Sequence, residues 1–96
     1  MTERDKFAVD ELRRRIFGRA GWRCEACGMP VCYYGTQQIA HRIPQRMARK
    51  YGKDIIHHPL NLVATCSLKC NDKVSISNHP VQIAELVSQI RAALAA

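Results

Sequence analysis

Gln38-Ile39-Ala40-His41-Arg42-Ile43-Pro44 and, after a long connection, Asn61-Leu62-Val63-Ala64-Thr65-Cys66-Ser67-Leu68-Lys69-Cys70-Asn71-Asp72-Lys73 are the stretches on which the fold turns. The first reads as a strand over 37–43, bounded by Gly35 and Pro44. Side chains alternate along a strand, so Ile39, His41 and Ile43 share one face and Ala40 and Arg42 the other. A lone histidine among core residues is ordinarily a hydrogen-bonded core imidazole, but the residues around His41 point to a functional one. The second stretch reads as a strand from Asn61 to Thr65 that runs into a helix from Cys66 to about Ile76. On a helix, Cys66 and Cys70 are four apart and share a face, which suits chelation.

Upstream, Cys24-Glu25-Ala26-Cys27-Gly28 is a C-x2-C closed by glycine. Such a knuckle aims two thiolates at one ion; a redox dithiol is the alternative, but it expects a βαβ setting, and here a long helix precedes it. That helix is expected at about 4–20, from the spacing of Val9, Leu12, Ile16 and Ala20, with Gly18 and Gly21 ending it. Arg13, Arg14 and Arg15 fan around its axis and read either as a phosphate-contacting cluster or as a solvated face. Cys32, the odd cysteine, reads as a small buried hydrophobe and a fallback zinc ligand. Tyr33 and Tyr34 read as packing residues before base-stacking ones.

The connection reads as a short basic helix within Pro44 to Lys53, closed by Tyr51 and Gly52, with Met47 and Tyr51 turned inward together. It continues to His57-His58-Pro59, where neighbours on an extended chain point to opposite sides and so do not share an ion. Surface or structural roles come first for both, with a second-ligand role for His57, His58 or Asp72 as the alternative. A last helix is expected at about 79–95, capped by Asn78 or His79 with Pro80 in its first turn. Its stripe of Ile83, Leu86, Val87, Ile90 and Leu94 suits packing against the first helix, with a homodimer surface as the alternative.

Ninety-six residues is one small domain, 1–96, whose thin core gains from a metal or a partner. The net charge of +7 suits a polyanion, nucleic acid ahead of membrane. No apolar run approaches the roughly 20 residues of a membrane helix, and the charged start carries no signal-peptide pattern. The expected location is therefore cytoplasmic. Thiols stay reduced there, so the five cysteines point to metal rather than disulfides. Cys24, Cys27, Cys66 and Cys70 are the expected ligands of a structural Zn²⁺, four thiolates suiting a closed tetrahedral site.

Taken in order from Cys24 to Lys73, these residues resemble the HNH endonuclease family, in a variant with asparagine in the last position. The resemblance implies an α+β fold whose core, 24–73, is a ββα-metal finger: a two-stranded antiparallel hairpin plus a helix, with a four-cysteine zinc site and flanking helices. It implies hydrolysis of double-stranded DNA to 5′-phosphate and 3′-hydroxyl ends. His41 would be the general base, Asn61 would orient it and brace the connection, and Asn71 would hold a catalytic Mg²⁺ or Mn²⁺, with Lys73 following as in many members. Arg42, Arg46, Lys69 and Lys73 are the expected phosphate contacts. One departure is Ala40, where many members carry a ligand; it implies weak metal binding, with a preference for Mn²⁺. The C-x3-C of Cys66 and Cys70 is a milder departure from the usual C-x2-C. The rival expectation is a zinc-finger DNA-binding or adaptor protein whose catalytic centre has decayed.

Overall fold

The computed structural model describes residues 3–31 and 38–96, and the side chains of 11–31 and 38–96. The readings of Cys32, Tyr33, Tyr34 and the Val9 side chain lie outside these residues. α1 spans Glu3–Arg19 and carries Gly18 inside it; Gly21, at φ +67°, and Trp22, at φ +57°, make the turn that ends it. β1 is Gln38–His41 and β2 is Leu62–Thr65. They pair antiparallel, Ala40 opposite Val63 and His41 opposite Leu62.

The connection between the strands is a run of short pieces. It is a 3₁₀ turn at Gln45–Met47, α2 at Ala48–Tyr51, α3 at Lys53–Ile56 and a second 3₁₀ turn at Pro59–Asn61. Gly52 parts α2 from α3 at φ +95°, in a conformation that L side chains rarely adopt. A Cβ there would also stand 2.7 Å from Asp54 Oδ1. α4 is Leu68–Lys73 and lies against both strands. α5 is Pro80–Ala95, with His79 as N-cap residue and Pro80 in its first turn. Among the described residues the protein is thus mixed helix and strand around a two-stranded antiparallel sheet.

Two apolar clusters hold these elements. In one, Ile16 and Phe17 of α1 meet Leu62 and Ala64 of β2 and the buried Cys24 and Cys70. In the other, Ile83, Leu86, Val87 and Ile90 of α5 meet Ile43, Ile55, Ile56 and Ile76, with Met47 and Tyr51 packed at the edge. The α5 stripe therefore covers the connection, not α1, and Leu94 is outside it, 49% exposed. The reason lies in α1's end, where Arg19 donates to the carbonyls of Pro59 (3.0 Å) and Leu62 (2.7 Å). That holds α1 on the outer edge of β2 and leaves the isoleucines of the connection for α5.

The strand reading needs a second correction. Ala40 is fully buried and His41 half-buried, so the inward face of β1 is that of Ala40. Ile43 is fully buried too, but it lies past the strand's end, in the bend where the alternation has stopped. No helix among the described residues is long and apolar enough to cross a membrane.

Candidate metal centre and the histidine pair

The knuckle is built by backbone hydrogen bonds. Cys24 N–H donates to Met29 O and Gly28 N–H to Cys24 O, while Gly28 takes φ +79° to close the turn. Glu25, between the cysteines, fastens this turn to β2: its N–H donates to Ala64 O, and its Oε2 accepts from Ala64 N–H at 2.7 Å. Arg19 stands 3.7 Å from the same carboxylate. The outer edge of β2 is thereby satisfied by the Glu25 backbone and by the Glu25 and Arg19 side chains, which no local pattern marks out.

The other two sulfurs arrive by different routes. Cys70 lies on α4, but Cys66 precedes the helix, contrary to the reading that placed both on one helical face. Ser67 is the cause: it is extended, and its Oγ accepts from Cys70 N–H as the N-cap. Even so, the sulfurs of Cys24, Cys27, Cys66 and Cys70 all lie within 4.8 Å of one another.

This spacing fits a metal. Four sulfurs about 2.3 Å from a tetrahedral Zn²⁺ stand about 3.8 Å apart. Cys27 and Cys66 are 3.6 Å apart, and Cys66 and Cys70 are 3.7 Å apart. A disulfide would need about 2.05 Å. Electrostatics agrees. Burial works against the Cys24 thiolate, but N–H groups of Cys27, Ala26 and Cys66 and the Cys27 side chain outweigh it and lower its pKa to about 6. Cys66 is pushed up to about 12 by its hydrogen bond to the Cys27 sulfur, then by burial and by the sulfurs of Cys70 and Cys24. Protein groups alone leave the cluster partly protonated; a divalent cation is what lets four thiolates share so small a space. The cluster can therefore hold a metal such as zinc.

His41 ends β1 with both ring nitrogens in contact. Its Nε2 is 3.2 Å from Nδ1 of His57, and its Nδ1 is 3.5 Å from Nε2 of Gln45. Burial lowers its pKa below 6.5, and the charge of His57 lowers it further. His57 follows α3 and is exposed, whereas His58 faces its own turn, its Nδ1 accepting from Leu60 N–H at 3.1 Å. The neighbours thus diverge as read from the sequence, but the contact of His57 with His41 was not legible there.

Asn61 is fully buried. Its Oδ1 accepts from Ile43 N–H (2.7 Å), and its Nδ2 donates to Ile43 O (3.1 Å) and Ile56 O (2.8 Å). Its backbone O accepts from Arg42 N–H, which carries the strand pairing one step past His41. These bonds go to the backbone of the connection rather than to the His41 ring. Asn71 follows Cys70 on α4 and is half-buried. Arg46, Lys69 and Lys73 are exposed. Arg42 is half-buried and lines a cavity of about 330 Å³ with Gln82, Glu85, Leu86 and Gln89 of α5. The chain matches no family model, no curated protein and no solved structure.

Proposed function

We propose that the protein is a metal-dependent DNA endonuclease of the HNH type, with a ββα finger formed by β1, β2 and α4 and stapled by zinc on the four cysteines. The observation that carries the reading is the setting of His41: half-buried at the strand end, with a depressed pKa and both ring nitrogens engaged. A base for neutral pH must be uncharged there, and burial and the charge of His57 both favour the neutral ring. Support also comes from Asn61, whose amide clamps the connection beside His41, and from Asn71 on the helix that lies against both strands.

In this reading His41 keeps its proton on Nε2 and donates it to His57 Nδ1, which leaves the Nδ1 lone pair for a water proton. The water oxygen attacks phosphorus as that proton leaves, and the bond to the 3′ oxygen breaks in line. Gln45 Nε2, 3.5 Å from Nδ1, covers that lone pair in this structure and gives way when the water takes its place. Asn71 would hold Mg²⁺ or Mn²⁺, a hard cation that takes up charge on the leaving oxygen. Arg46, Lys69 and Lys73 are exposed and would contact phosphates of double-stranded DNA, with the half-buried Arg42 as a further contact.

One observation favours a second reading. Ala40 is fully buried and offers no ligand, as expected of a DNA-binding adaptor whose cation site has been lost. Plasmid cleavage in Mg²⁺, Mn²⁺ and EDTA separates the two. The nuclease reading expects metal-dependent nicking that falls at least about 100-fold in His41→Ala, the usual scale for a lost general base. No cleavage in any metal, with zinc bound and DNA still retarded on a gel, would establish the adaptor.

A further inference from the structure

The facing nitrogens of His41 and His57 have the spacing of two ligands on one ion. Nitrogens about 2.05 Å from a transition metal stand about 2.9 Å apart at a right angle and about 3.4 Å apart at the tetrahedral angle. The observed separation is 3.2 Å. An imidazole centroid lies about 3.2 Å from an ion bound through its nitrogen, so two rings sharing an ion at the observed nitrogen separation have centroids about 5.0 Å apart, within a few tenths of an ångström of what is seen. Here the centroids are 5.3 Å apart, with the ring planes at 79°. His57 is exposed, which gives an ion a way in.

The pair is also held in place before any ion arrives. Asn61 bonds Ile43, two residues after His41, and Ile56, the residue before His57. One buried amide therefore sets the distance between the two backbones that carry the rings. Rings positioned this way lose little freedom on binding, the condition under which a two-ligand site gains affinity.

We propose that His41 and His57 form a second metal site, separate from the cysteine cluster, for a borderline transition-metal cation such as Ni²⁺ or Zn²⁺, with water completing the shell. Imidazole pairs select such ions, whereas Mg²⁺ prefers oxygen. Occupancy has a chemical consequence. A neutral imidazole that gives its Nε2 lone pair to a metal carries its one proton on Nδ1. That nitrogen then has no lone pair for water, so the filled site switches off the base. The site itself stands without the nuclease reading; only this consequence rests on it.

The test is calorimetric titration of zinc-loaded protein with Ni²⁺, a chromophoric indicator reporting any zinc displaced from the cysteines. The expected result is one additional Ni²⁺ per chain without zinc release. Loss of an outer-shell partner already weakens metal sites about 10–100-fold, so His41→Gln and His57→Gln should each weaken Ni²⁺ by at least about ten-fold. His79→Gln, which removes a histidine at the start of α5, should not. Retained zinc and an unchanged far-UV spectrum show that each variant is folded. No additional Ni²⁺, or weakening by only one of the paired variants, would overturn the site. A parallel cleavage assay in Mg²⁺ should show Ni²⁺ inhibiting at the concentration that fills the site. If Ni²⁺ binds as described and cleavage is absent in every metal, the site stands and the nuclease reading fails.

Discussion

At the scale of single residues, His41 and Asn61 do different work, and each can be measured. The folded pKa of His41 lies below 6.5, through burial first and the charge of His57 second. As pH falls, the unfolded chain takes up this proton before the folded one. The stability it contributes is therefore present above pH 6.5 and is lost as pH falls toward the folded value. Under the nuclease reading, the acid limb of the cleavage rate should fall below pH 6.5. It should move up in His57→Gln, where one neighbouring charge is gone; a limb that stays in place would remove His57 from the electrostatics of the base. Asn61 is a matter of stability. Asn61→Ala leaves Ile43 N–H and the carbonyls of Ile43 and Ile56 without their buried partner. Each orphaned group costs about 1–3 kcal/mol, so a loss of about 3 kcal/mol or more is expected in urea denaturation. A loss under about 1 kcal/mol would mean that water replaces the amide and that the clamp is not one. Asn61 was legible as a bracing residue only through the family resemblance. Its targets, the backbones of Ile43 and Ile56, belong to a loop path that no local pattern specifies.

At the scale of elements, periodicity served well where an element is long and poorly where it is short. The outer helices were expected at 4–20 and 79–95 and stand at Glu3–Arg19 and Pro80–Ala95, because long apolar stripes average out local noise. The connection is a run of four short pieces, and Gly52, at φ +95°, accounts for the break between α2 and α3. Cys66 fell outside α4 for a capping reason that the sequence does contain: Ser67 stands three residues before Cys70, the spacing of an N-cap to the backbone N–H it satisfies. This cap ties helix geometry to the metal centre, since Ser67 sets where α4 starts and so where the Cys70 sulfur lies. Ser67→Ala should destabilise the protein by about 1 kcal/mol. It should also weaken zinc in a competition with a chromophoric chelator, while Ser75→Ala, outside α4, should leave zinc affinity unchanged. Equal zinc affinity in both variants would show that the sulfurs hold the helix start rather than the reverse.

At the scale of the whole molecule, the question is which of its two halves folds without metal. The cysteine cluster lies within the α1–β2 core, since Cys24 and Cys70 are counted among its buried residues together with Ile16, Phe17 and Leu62. Among the described residues the α5 cluster contains no cysteine; its members come from the connection, the segment after α4 and α5. Structural zinc in small domains contributes about 10–16 kcal/mol of apparent binding free energy at pH 7. The whole stability of a domain this size is about 5–15 kcal/mol. With zinc on the four cysteines, as proposed above, its removal would leave the α1–β2 half little to hold it, and mutual repulsion of the partly ionised thiols would add to the loss. The α5 half keeps its apolar contacts, but it is anchored through Asn61 and the Arg42–Ile76 backbone bond to strands that have lost their other face. Zinc-stripped protein should show no single cooperative melting transition and should retain part of its helical signal, mostly from α5. Zinc should restore the transition, and the refolding should release protons as Cys66 and its neighbours give up theirs. Amide exchange would locate the division: protection lost at Cys24, Leu62 and Cys70 but partly kept at Leu86 and Ile90. Uniform protection in the stripped protein would mean that the apolar cores alone suffice, and that the four sulfurs meet because the fold brings them together rather than because a metal does.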